Sequence, residues 1–147
     1  MKRHSSLIPI SREHHKVLLC AQLLKADVPS YEGMPADPAG KIDYFLSFYS
    51  EVLEAHMDKE EKLLFPFVSE KASALQRLIR ELTTDHEEIR RLSKNLDSAS
   101  EMIAEHLDEL GRLLEKHVRR EERQLFQRIQ ELLSEGQLLE LSKLLTT

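Results

Sequence analysis

Two ten-residue stretches, HMDKEEKLLF from His56 to Phe65 and HVRREERQLF from His117 to Phe126, repeat one pattern: His, three residues, Glu-Glu, two residues, Leu-Phe. Residues four apart on a helix stand one above the other, so His56 with Glu60, and His117 with Glu121, each set an imidazole beside a carboxylate. Such a pair is suited to binding a divalent metal. A second repeat supplies partners. SREHHKV, from Ser11, and TTDHEEI, from Thr83, both place a hydroxyl residue, an acid, a histidine and, three positions on, a β-branched residue, which aligns His14 with His86. The chain thus reads as two helix pairs, each with one histidine on its first helix and His-x-x-x-Glu on its second. The first pair differs mainly by an insertion, a Pro-rich loop.

The face these residues occupy decides what they can do. In the second helix Phe45, Tyr49, Val52, His56, Glu60, Leu63 and Phe67 follow one stripe, and in the fourth Ile103, Leu110, Leu113, His117 and Glu121 do the same, leaving Arg119, Arg120 and Arg123 to solvent. Both pairs are expected to point inward. A buried imidazole or carboxylate without a partner forfeits solvation on the order of several kcal/mol, and a metal removes that objection. The expected ligands are His14, His56, Glu60, His86, His117 and Glu121. Six are too many for one tetrahedral zinc, whereas two irons bridged by carboxylates use such mixed nitrogen and oxygen donors; zinc or manganese would enter by occupancy.

The elements that must carry these residues are helical. Four Gly, five Pro, no Trp and 32% charged residues describe a helix-rich composition without alternating strand patterns. Ser11 is expected to cap a first helix over about 11–26, which Pro29 ends. Asp37 before Pro38 opens a second helix over about 38–65, stopped by Pro66. Leu75, Leu78, Leu82, Ile89, Leu92 and Leu96 carry the third, the stretch LDSAS breaks the pattern, and the fourth begins near Ile103. A short fifth helix is expected after Ser134. Each long helix has one apolar stripe to bury, so the expected fold is all-α: a single domain over 1–147, core about 11–133, forming an up-down-up-down four-helix bundle with a short C-terminal helix.

With these residues placed, the chain resembles the hemerythrin-like, HHE cation-binding family, over nearly its whole length from Ser11 to about Leu133. The resemblance implies a four-helix bundle with a non-haem di-iron centre, carboxylate- and oxo- or hydroxo-bridged. His14, His56, His86 and His117 match terminal iron ligands, and Glu60 and Glu121 match bridging ones. The oxygen carriers of that family place a second histidine one turn after the first on the third helix, where this chain has Arg90, and use a carboxylate at the position of Glu122. The four-His, two-Glu set is instead similar to members that sense iron or oxygen or repair iron centres. The implied ligand is a small diatomic, dioxygen or nitric oxide. Whether a substrate is turned over stays open.

Other readings bear on single residues. His15, adjacent to His14, lies about 100° away on the helix and cannot share the centre with it. His106, about 16 Å from His117 on the same face, reads as a core or channel histidine. Glu61 and Glu122 lie about 140° from their histidines and read as surface carboxylates, with support of the site as the alternative. Tyr49 reads as core, and His4 as part of a tail. A metal-free helical interaction bundle is the alternative in kind. A ferritin-like di-iron oxidase ranks below it, because that group orders its pair as Glu-x-x-His.

The 21 basic and 26 acidic residues give a charge of -5 and no stripe for nucleic acid. Cys20, the one cysteine, sits among apolar neighbours and suits a reducing compartment. Neither an export signal nor a membrane span is legible, so a cytoplasmic protein is expected, with a protein partner or self-association left open.

Overall fold

The computed structural model describes residues 2–26 and 32–146, and among these it contains five helices and no strand. Helix α1 is Ile8–Leu24, α2 runs over residues 38–71, α3 is Gln76–Lys94, α4 runs over residues 103–132 and α5 is Glu135–Thr146. Helix α1 lies along α4, α3 packs on α4, and α2 contacts α1 and α4. Residues 27–31, part of the expected loop and including Pro29, lie outside the described residues.

Two expected starts are observed with their capping chemistry. Asp37 accepts a hydrogen bond from the Gly40 N–H, with Pro38 in the first turn of α2. Ser134 Oγ accepts from the Gln137 N–H, and Gln137 Oε1 accepts from the Ser134 N–H, a reciprocal cap for α5. Ser11 does not cap α1. The helix begins one turn earlier, with Pro9 in its first turn and Leu7 and Ile10 buried, so Ser11 is interior to it.

Pro66 does not end α2, which continues to Lys71. It follows directly on a wide π-turn, Glu60–Leu64, where the Phe65 N–H reaches back five residues to the Glu60 carbonyl. In a ladder already changing register, a missing N–H disturbs least. A second wide turn spans Tyr49–Leu53 in α2, and a third spans Glu121–Leu125 in α4. Each delays the helical rotation by roughly one residue. The buried stripe of α2 therefore shifts: Leu53 is buried where Val52 was expected, and Leu64, Phe65 and Val68 are buried where Leu63 and Phe67 were.

The interior divides into two apolar clusters. One gathers Leu7, Ile10, Leu64, Val68, Leu82, Leu125 and Ile129, and α5 closes it with Leu138, Leu141 and Leu145. The other gathers Val17, Ala21, Phe45, Leu53, Ile89, Leu107, Leu110 and Leu114. The sequence positions of His14, Glu60, His86 and Glu121 fall between the contributions that their helices make to the two clusters.

Candidate metal centre

The six expected ligands converge. His14, His56 and His117 are at most 4% exposed, and His86, Glu60 and Glu121 are fully buried. His15, the rival of His14, is exposed. Donor atoms fall into two groups, His14, His56, Glu60 and Glu121, and His86, His117, Glu60 and Glu121, within each of which they lie no more than 4.8 Å apart. The two glutamates belong to both groups. His86 Nε2 is 3.1 Å from His117 Nε2 and 3.1 Å from Glu60 Oε1, and His117 Nε2 is 2.5 Å from Glu121 Oε1. His56 Nε2 is 3.4 Å from Glu60, and His14 Nε2 is 3.6 Å from Glu121.

Outer carboxylates fix which nitrogen faces inward. His14 Nδ1 is 2.6 Å from Glu122, His56 Nδ1 is 3.1 Å from Glu13, His86 Nδ1 is 2.8 Å from Glu61, and His117 Nδ1 is 3.0 Å from Asp85. An ionised carboxylate only accepts, so each Nδ1–H donates, and an imidazole that is neutral turns its Nε2 lone pair toward the centre. The pattern is a ring: a carboxylate on α1 holds the histidine of α2, one on α2 that of α3, one on α3 that of α4, and one on α4 that of α1. This corrects the surface reading of Glu61 and Glu122. In the sequence Glu13 and Asp85 are legible only as the acid preceding each aligned histidine, and that shared acid is the signal.

The whole ten-residue motif now has a physical account. Its histidine and first glutamate face the centre, and its second glutamate bonds the next helix's histidine. Its phenylalanine stacks on that same ring: Phe65 on His86 at 5.6 Å and Phe126 on His14 at 5.5 Å between centroids. The wide turn starting at each first glutamate, which sets the rotation of the residues after it, belongs to the same device.

Inward-facing lone pairs and carboxylate oxygens lack donors among themselves. His14 Nε2, His56 Nε2 and all four oxygens of Glu60 and Glu121 are buried without a hydrogen bond. Such atoms are costly unless a cation resolves them, so the donor set fits divalent metal. Without a cation, protons take that role. Burial and the neighbouring Glu121 push the Glu60 carboxyl well above its ordinary range. Burial works against ionised Glu121 too, but His117, Glu60 and His14 outweigh it and hold its pKa low. Burial disfavours charge on His117, yet Glu121 and Asp85 raise it to about 9, while burial and the His117 charge lower His86 to about 4.

The remaining candidates fall outside. His106 is half-buried beside a shallow cavity with Arg91, Asn95 and Glu109, far from a core or channel position. Tyr49 is only partly buried, packed against Phe45 and close to Glu54 and Arg90. His4 is no loose tail residue, since its ring bonds Ser6 and Glu135 and its N–H donates to Gln130. No described helix is long and apolar enough to cross a membrane.

The family model of the hemerythrin HHE cation binding domain matches residues 9–129. The chain matches no curated protein and no solved structure.

Proposed function

The chain belongs to the hemerythrin HHE cation-binding family, and from that premise we propose that it holds two irons between four helices running up-down-up-down in one domain, and there binds dioxygen or nitric oxide. His14 and His56 hold one ion, His86 and His117 the other, and Glu60 and Glu121 bridge them. The observation that supports this reading is that two buried donor groups share both glutamates. Iron supplies the redox chemistry toward the diatomic ligand.

The chain's own residues prepare that chemistry. The outer carboxylates keep every imidazole in one tautomer and raise its basicity as a donor. Apolar clusters on both sides exclude bulk water and strengthen the electrostatics between them. Candidate ligands at most 4% exposed suit a small diatomic better than a large substrate. Arg90 stands where oxygen carriers have a histidine ligand, and Glu122, at the position of their carboxylate ligand, bonds the outer nitrogen of His14 instead, which favours a role in sensing, iron handling or iron-centre repair over reversible storage. Buried Cys20, its thiol pushed up to about 12 by burial, suits the cytoplasm as a packed and unreactive group.

The test is anaerobic loading of the untagged chain with ferrous iron, followed by metal analysis and near-ultraviolet spectra before and after exposure to dioxygen or nitric oxide. About two irons per chain and a gas-dependent band are expected. Absence of bound iron, or a spectrum indifferent to both gases, overturns the reading.

A further inference from the structure

Resting on the reading of two cation positions, we propose that Arg90 is a positioning residue for the ion held by His86 and His117. Its guanidinium grips Glu61 through both oxygens, at 2.8 and 3.3 Å, and Glu61 in turn is 2.8 Å from His86 Nδ1. Arg90 also approaches Glu54 and Asp58 at 3.6 Å each. Positions 54, 58 and 61 form one stripe along α2, so a single α3 side chain holds the α2 carboxylate that orients an α3 ligand.

The corresponding carboxylate of the other position is held differently. Glu122, which orients His14, pairs with Arg3 at 3.0 Å and also accepts from Ser11 Oγ at 2.8 and 3.1 Å. Among the described residues Glu61 has hydrogen-bond partners only in His86 and Arg90. Removing Arg90 leaves a partly exposed carboxylate free to turn to solvent, whereas removing Arg3 leaves Glu122 with its serine. The arginine fork matches a carboxylate in a way that a lysine ammonium does not. Arg91, the next residue, pairs with Glu88 at the surface and serves as the neutral comparison.

A double-mutant cycle on the full chain localises the effect. Metal-free protein is titrated with cobalt(II) against a competing chelator, and visible absorption reports the ion's surroundings. In a His14→Ala background, where only the His86 and His117 position should keep its set, Arg90→Gln is expected to weaken the remaining ion by about 10- to 100-fold and shift its absorption bands. In a His86→Ala background the same substitution is expected to leave affinity and bands unchanged. Arg90→Lys should fall between, and Arg91→Gln should have no effect. If Arg90→Gln does not fold by circular dichroism, the milder Arg90→Lys decides by the same two comparisons. Equal weakening in both backgrounds, or none in the first, overturns the inference while two ions in the unmodified chain keep the underlying reading. An unmodified chain that binds no pair of ions overturns both.

Discussion

Helices α2 and α4 carry the same ten-residue motif in different frames. Both open a wide turn at the inward glutamate, send the second glutamate to the next helix's histidine, and stack a phenylalanine on it. Two turns earlier they part. There α2 opens a further wide turn, Tyr49–Leu53, while α4 stays regular through Gly111. A Cβ on Gly111 would stand 2.8 Å from the Ala21 carbonyl oxygen and 3.1 Å from Leu24 Cβ, so glycine is what lets α4 approach α1. The features held in common touch the centre, and those that differ answer to each helix's own neighbours.

The largest effect should come from the residues the halves share. Glu60→Ala and Glu121→Ala are each expected to lose both ions, whereas His14→Ala or His86→Ala loses one, read by metal analysis after desalting. Loss of a single ion in both glutamate variants would break the sharing. Phe65→Ala and Phe126→Ala remove equivalent buried rings and should each cost about 3–5 kcal/mol in urea unfolding. A large inequality would show that the stacks are not equivalent.

The frames should separate where the motifs do not. Gly111→Ala is expected to cost about 1–3 kcal/mol from overpacking, while Ser50→Ala, at the matching exposed position of α2, should stay within about 0.5 kcal/mol. The same denaturation series measures both. Proton linkage gives the most gradual effect. Glu60, raised by burial and Glu121, and His117, raised to about 9, must release protons to a cation. Cation affinity should therefore rise with pH until about 9, by about tenfold per unit for each proton displaced. For the metal-free fold the sign is opposite at His117: its stabilising contribution is complete below the ordinary value of 6.5 and is lost as pH rises through about 9. Chelator-competed titrations and metal-free melts across that window check the two directions.

Much of this was legible because spacing carries chemistry. The six inward residues, the choice of His14 over His15, the Asp37–Pro38 start and the Ser134 cap all follow from side-chain type and register. What escaped depends on departures from a uniform helix. A rotation of about 100° per residue misplaces Val52, Leu63 and Phe67, because wide turns reset the stripe. It also sends Glu61 and Glu122 outward, where the structure has them bonded to His86 and His14. Pro66 reads as a stop because proline breaks an α ladder, and the preceding π-turn relieves that conflict. The partners of Glu13 and Asp85 lie on other helices, which one strand of sequence does not pair.

The most direct test is anomalous diffraction from crystals of the chain loaded with ferrous iron under anaerobic conditions. Two peaks are expected, one against His14 and His56, the other against His86 and His117, with Glu60 and Glu121 reaching both. A single peak, or iron bound away from these side chains, would contradict the account.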